Sequence, residues 1–309
     1  MDIAIMIEGQ NGLNWQRWMR LARAVEDLGF AGLYRSDHFT NAEPPDMDSL
    51  ELWVSFTWLA ANTKRIEFGP LVSPVSFRNP VFTARIASQV DDLSGGRLRL
   101  GLGAGWQERE HHLFGFDLLT PRQRFARFEE GLQVITRLLK SDDPVSFSGD
   151  YYHLDGAQLL PRPQRPGGPP IVIGGNGVKL TLPLVACYAD EWNAVLIPPE
   201  KFAELNRVVD TFLSENQRDP ASVRRTMMTG LRFGRTAAEV REQLKGRSEE
   251  DLRQRGIITG EAAQVQEHLA RLQAAGVERV MLQWLDLDAI DRLEALAKAV
   301  LSRNSSNAD

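Results

Sequence analysis

Eight short apolar runs, each followed by a stretch with helical periodicity, recur along this chain, and that alternation limits the possible folds more than any other feature. The first run, Asp2 to Ile7, is apolar on both faces, as expected of a strand covered by protein on each side. Trp15, Trp18, Leu21, Ala22, Val25 and Leu28 then recur at helical spacing until Gly29 ends the helix. Further strands are expected at Ala31 to Arg35, Ile66 to Ser73, Arg97 to Trp106, Ile171 to Ile173, Glu191 to Leu196, Arg225 to Phe233 and Arg279 to Trp284. Helices are expected over Leu50 to Ala61, Pro80 to Leu93, Pro121 to Leu139, from Gly177 to about Ala186, and over Pro199 to Leu213, Glu261 to Ala275 and Ala289 to Leu301. Residues 107–120 read as irregular. The pattern predicts an α/β fold, a (β/α)8 TIM barrel of one domain over residues 1–301, with insertions after strands 4 and 7. The first insertion, 144–168, reads as a small hairpin, the second as a charged helical excursion from Ala237 to Arg255, and 302–309 as a polar tail. A doubly wound open sheet has the same local signature; eight units and a single glycine-lined strand favour the closed barrel.

That glycine-lined strand is Arg97 to Trp106, RLRLGLGAGW. At period two, Leu98, Leu100, Leu102 and Ala104 share one face, and Arg97, Arg99, Gly101, Gly103 and Gly105 share the other. Three glycines on one face mark a bend, a bulge or a place where something else needs the room. The expectation is that a flat ligand lies there, against Gly103, Gly105 and Trp106.

The totals exclude several classes. At 309 residues with 43% apolar content, the chain can bury a full barrel core. A net charge of −5 and scattered Lys and Arg argue against nucleic-acid or anionic-membrane partners. The start, MDIAIMIEG, does not read as a signal peptide, and no apolar run approaches the roughly 18 residues of a membrane span. The lone Cys187 precludes an internal disulfide, fits a cytoplasmic protein, and is expected in the core.

In a barrel the ligand site lies beyond the carboxyl ends of the strands. His38, in Ser36-Asp37-His38-Phe39, is the strongest polar candidate there, as an acid/base group or as a histidine hydrogen-bonded in a loop. Glu110 is a second candidate, either near the ligand or solvated in its loop. Gly174, Gly175, Asn176 and Gly177 follow a strand and open a helix, so their backbone N–H groups suit a phosphate; tight packing alone would also explain them. Glu108, Glu110, His111 and His112 lack the spacing of a metal site, and no metal is expected. Phe147, Tyr151, Tyr152 and Trp106 are candidate walls of a substrate mouth or packing under long loops.

With these residues in view, the chain resembles the luciferase-like monooxygenase superfamily, most closely its deazaflavin-dependent branch. The resemblance rests on Ser36-Asp37-His38-Phe39, Gly69-Pro-Leu-Val-Ser73 with Arg78-Asn79-Pro80, Asp91 with Ser94-Gly-Gly-Arg97, Gly101 to Trp106 with Glu110, Arg124, Glu129-Glu130, Pro170 to Gly175, and Ala189 to Asn193. It implies an oxidoreductase that binds coenzyme F420, or alternatively FMN, with the ring over the strand ends and its phosphate near Gly174 to Gly177. It also implies a non-proline cis peptide at Leu71–Val72, or one bond later, so that Leu71, Val72 and Ser73 back the ring, with Asp37 beside it. The histidine matching His38 abstracts a hydroxyl proton in alcohol-oxidising relatives. With deazaflavin the expected reaction is hydride transfer with a small alcohol, carbonyl or enone. The alternatives are a two-component FMN monooxygenase and a non-catalytic flavin-binding barrel. A homodimer is expected by the same likeness.

Overall fold

The computed structural model describes residues 1–301; the tail expected at 302–309 lies outside them. Strand β1 (Asp2–Ile7) leads to α1 (Trp15–Leu28), which starts at an Asn14 cap and stops at Gly29, whose φ is 92°. β2 (Gly32–Arg35) and α2 (Leu52–Asn62) follow. The third crossing is split into β3 (Glu67–Pro70) and β4 (Ser73–Pro74), and leads to α3 (Pro80–Ser94). After β5 (Leu100–Gly103) come α4 (Glu108–Phe114), α5 (Pro121–Lys140) and a hairpin of β6 (Val145–Ser148) and β7 (His153–Ala157). The chain continues with β8 (Ile171–Gly174), α6 (Thr181–Tyr188), β9 (Glu191–Val195), α7 (Pro199–Glu215) and β10 (Arg224–Phe233). It finishes with α8 (Ala237–Leu244), α9 (Glu249–Gln254), β11 (Ile258–Gly260), α10 (Ala262–Ala274), β12 (Arg279–Gln283) and α11 (Ile290–Leu301).

The main sheet runs β3-β2-β1-β12-β10-β9-β8-β5-β4, with every neighbouring pair parallel. Its two ends are the two halves of one crossing. The ring closes between β3 and the chain entering β5, where Phe68 bridges Leu98, with Phe68 N donating to Arg97 O at 3.2 Å and Arg99 N to Phe68 O at 2.8 Å. The result is the expected (β/α)8 barrel. The hairpin falls inside the expected insertion, and β11 extends β10 outside the barrel path.

Alternation along each strand separates two interiors. Ile3, Ile5 and Ile7 of β1 face outward, into the layer that holds Trp18, Leu21 and Val25 of α1. Ala4 and Met6 face inward and meet Tyr34, Met228 and Met281 in the lumen. The amino-terminal floor of the barrel is closed by charge: Arg279 donates to the Tyr34 hydroxyl at 2.7 Å and pairs with Glu67, which also takes Arg99 at 2.5 Å. Thr226 donates to Glu191 beside them, and burial pushes that carboxyl up from its ordinary range. The ligand end is therefore the opposite one.

Three expectations need correction, and one short strand is added. Residues 108–114 form α4, too short to display a full helical stripe, and Gly115 stops it in the left-handed region. β11 has three residues, below what a period of two can reveal. α6 begins at Thr181, after an exposed turn, and not directly after Gly177. Cys187 lies on the exposed side of α6 and donates to Asn216 Oδ1 at 3.5 Å. The apolar run it sits in turns only one face to the core.

At the floor, Arg97 holds three elements together, donating to the carbonyls of Ala60, Thr63, Ile66 and Ser94 and to the Thr63 hydroxyl. Arg97→Ala strands those acceptors, and a loss of about 3 kcal/mol is expected. Urea unfolding checks this; a loss under about 0.5 kcal/mol contradicts it, since that is the scale of an ordinary surface change.

Candidate active site

The chain leaves β5 through Gly105, whose φ of 86° turns it sharply, and Arg124 of α5 fixes the turn by donating to the Gly105 carbonyl at 2.9 Å. The turn delivers α4 to the end of β2, and with it Glu110 to His38. Glu110 Oε1 lies 2.7 Å from His38 Nδ1, and its other oxygen accepts from Phe39 N at 3.1 Å. Glu110 is 1% exposed, so its carboxylate is held by those two partners. A carboxylate acceptor places the proton on Nδ1 and leaves Nε2, unpartnered among the described residues, with its lone pair free.

Burial pushes the His38 imidazole down, yet the hydrogen bond and charge of Glu110, with smaller help from Glu8 and Asp37, outweigh it and hold its pKa above the ordinary value. Gln107 steadies the same loop by donating to Thr40 O at 3.0 Å. Trp106, 63% exposed, stands edge-on to the imidazole with centroids 5.5 Å apart. The neighbouring His111 looks elsewhere, bonded to Ser76 Oγ and Gln107 O, each at 2.7 Å.

His38 and Glu110 line a cavity of about 590 Å³ over the strand ends. Leu71, Val72, Gly103, Gly105, Trp106, Gly174 and Gly175 line it as well. Four other expected ligand residues do not. Asp37 and Ser73 are buried behind the wall, where Ser73 Oγ donates to Asp37 at 2.7 Å and Arg78 bridges Asp37 to Glu51. Asn176 staples the wall, donating to Val195 O at 2.7 Å and accepting from Val195 N at 3.0 Å. Gly177 is exposed beside Thr181. Of the candidate walls only Trp106 lines the cavity. Phe147, Tyr151 and Tyr152 belong to the hairpin, which Glu130 of α5 fastens by accepting from Asp150 N and Tyr151 N at 2.9 Å each.

The glycine face has a different occupant from the expected ligand. The Leu71–Val72 peptide, cis as the family resemblance implies, turns Val72 toward β5 and β8. A Cβ on Gly101 would lie 1.9 Å from Pro70 O and 3.3 Å from Val72 Cγ1, one on Gly103 2.6 Å from Val72 Cγ2, and one on Gly174 3.1 Å from Val72 Cγ1. The room left by Gly103 and Gly174 is filled by Val72 and that at Gly101 by the Pro70 carbonyl, and it is Leu71 and Val72 that present a surface to the cavity.

Several cavity residues carry little sequence signal of their own. Asn193 on β9 is wholly buried, gives its amide N–H to Thr226 Oγ1 at 2.9 Å, and leaves Oδ1 without a partner. Arg124 lines the cavity with Nε unpartnered. Glu8, beyond β1, is held by Gln10 at 3.2 Å and Gln283 at 2.7 Å. Position at or just past a strand end is the one signal shared by Glu8 and Gln283. The set suits a flat, partly apolar ligand with an anionic end: apolar backing from Leu71 and Val72, an orphaned buried acceptor at Asn193, and a cation at Arg124 on the same cavity wall. The phosphate donors expected at Gly174 to Gly177 are not free as a set, because Gly175 N gives its hydrogen bond to Asn193 O at 2.9 Å.

A family model described as luciferase-like monooxygenase matches residues 1–287. The chain is 32% identical over 188 residues to 4-hydroxyprotoasukamycin monooxygenase of Streptomyces nodosus subsp. asukaensis, covering 61% of this chain and 49% of that one. It is 34% identical over 169 residues to an F420-dependent glucose-6-phosphate dehydrogenase of Amycolatopsis mediterranei, covering 53% and 47%. The matched part is thus about half the length of these relatives. Among solved structures, an F420-dependent secondary alcohol dehydrogenase superposes with a TM-score of 0.83 at 20% identity, covering 97% of this chain and 98% of that one. EDTA monooxygenase from Chelativorans sp. BNC1 gives 0.81 at 16%, covering 98% and 94%.

Proposed function

Since this chain belongs to the luciferase-like monooxygenase family, we propose that it is an oxidoreductase that binds coenzyme F420 and exchanges hydride with a small organic substrate of the alcohol, carbonyl or enone type. The observation that carries this reading is the His38–Glu110 pair at the wall of a cavity backed by Leu71 and Val72. Relatives and neighbours named as F420-dependent enzymes support it. Leu71 and Val72 would back the coenzyme's ring, Asn193 Oδ1 would accept from a ring N–H, and Arg124 would take the phosphate, since the Gly175 N–H is already given to Asn193 O at 2.9 Å. Bound deazaflavin supplies a ring carbon that accepts or releases hydride and reacts poorly with oxygen.

The protein's part is orientation and proton handling. In the oxidative direction His38 Nε2 takes the substrate hydroxyl proton, and in the reductive direction it returns one. Glu110 holds Nδ1–H, which fixes the ring's orientation and stabilises the imidazolium once Nε2 is loaded. Trp106, edge-on to the imidazole, would cover one side of it.

Neighbours named as monooxygenases support a second reading, with FMN in the same cavity and oxygen as oxidant. Spectral titration with each cofactor decides between them. F420 is expected to bind at micromolar or tighter concentration and FMN at least tenfold more weakly. Tight FMN binding without F420 binding overturns the proposal.

A further inference from the structure

Above β10 and β12 lies a second cavity, of about 510 Å³, which shares Gln283 with the first. Leu231, Phe233 and Trp284 give it an apolar floor, and three cations, Arg232, Lys245 and Arg247, stand around it. The cavity also has Arg17 and Arg292, but these are matched: Arg17 pairs with Asp288 at 2.7 Å and Arg292 with Asp286 at 2.8 Å. One further carboxylate, Glu242, faces the cavity, and among the described residues it pairs with none of the three. Arg232 is half-buried, and among the described residues its guanidinium makes one hydrogen bond, from Nη1 to the carbonyl of Leu231 at 2.7 Å. Four of its five N–H donors are left for a ligand. Burial and the nearby Arg247 both push its pKa below the ordinary value. Lys245 ends α8 in the left-handed region, with φ 50°, where glycine would be the easier choice, and so sits at the rim.

A half-buried cation that faces further cations without a counterion is unfavourable, and a ligand anion would relieve it. We infer that this cavity receives the charged end of the substrate, an organic anion such as a phosphate ester or carboxylate, whose uncharged part passes Gln283 to reach His38. Placing the substrate there rests on the hydride-transfer reading above; the binding of anions does not. The coenzyme's own acidic tail offers the same chemistry, so the test must separate the two sources.

Calorimetric titration of the full chain at low ionic strength with phenyl phosphate, phenylacetate and benzyl alcohol provides that test. At least one anion is expected to bind, to weaken with added salt, and to exceed benzyl alcohol tenfold or more. R232Q/R247Q should weaken anion binding at least tenfold, and K245Q/R247Q, at two exposed positions, should do so should the first variant fail to fold. F420 affinity in both variants should stay within threefold of wild type. Absence of anion binding, or equal binding by folded variants, overturns the pocket. A tenfold loss of F420 affinity assigns the cations to the coenzyme tail and overturns the substrate assignment. Anion binding by a wild type that does not bind F420 overturns the hydride-transfer reading and leaves the anion pocket standing.

Discussion

His38→Ala is expected to slow hydride transfer by roughly 10² to 10⁴-fold while F420 affinity stays within about threefold of wild type. The imidazole carries a free Nε2 at the cavity wall, and among the described residues no other carboxylate there is placed to replace it: Glu8 is engaged by Gln10 and Gln283, and Glu110 is buried behind His38. Alanine removes the proton acceptor without touching Leu71, Val72 or Asn193. Single-turnover absorbance of the bound deazaflavin checks this, and a variant slowed less than tenfold removes His38 from the reaction. The pH dependence carries a sign. Because Glu110 holds the His38 pKa above its ordinary value, the neutral base needed for oxidation is lost at a higher pH than for a free histidine. Glu110→Gln removes that charge and leaves burial to dominate, so the acidic limb of the oxidative kcat/KM profile should move to lower pH. A limb that stays in place means the pair is not the titrating unit.

The second large effect is expected at Gly103, where valine should weaken F420 binding at least 100-fold, or about 2.8 kcal/mol. The added Cβ meets Val72 Cγ2 at 2.6 Å, and Val72 has little freedom, with Gly101 and Gly174 also against it. The displaced residue is therefore the one that faces the ligand. Val72→Ala in the same chain clears the collision and should recover at least tenfold of the loss. That recovery separates displacement of the wall from general damage to the barrel. Undiminished affinity in the single variant refutes the assignment of Leu71 and Val72 as the coenzyme's support.

The barrel was legible because its signal is collective. Eight runs of apolar residues at regular spacing can be read even where each boundary shifts by a residue or two. His38, Glu110, Gly103 and Gly174 were legible for a related reason: each lies at or beyond a strand end, and the fold decides what such positions face. What could not be read was the partner of each polar group. Asp37 looks as available as His38 in the sequence, yet Arg78, 41 residues later, takes its carboxylate. Asn176 similarly turns to Val195 and not to a ligand. Gly101 shows why vacancy alone misleads, since a missing side chain makes room for backbone as readily as for a cofactor. The unpaired cations of the second cavity were hidden too, because Arg232 stands on the barrel strand while Lys245 and Arg247 sit in the excursion.

Dividing the third crossing has a consequence for how the molecule meets other chains. A closed barrel has no free edge, whereas a sheet that begins at β3 and finishes at β4 has two, and an unpaired edge is a template for a foreign strand and for aggregation. Here the hazard is removed by chemistry. Pro70 ends one half and Pro74 the other, so neither offers an N–H at its end. The donor after each proline is taken as well, Leu71 N by Arg35 O at 2.8 Å and Val75 N by Gly103 O at 3.0 Å. The break that shapes the ligand wall thus has no free N–H at Leu71 or Val75 for a foreign strand to pair with.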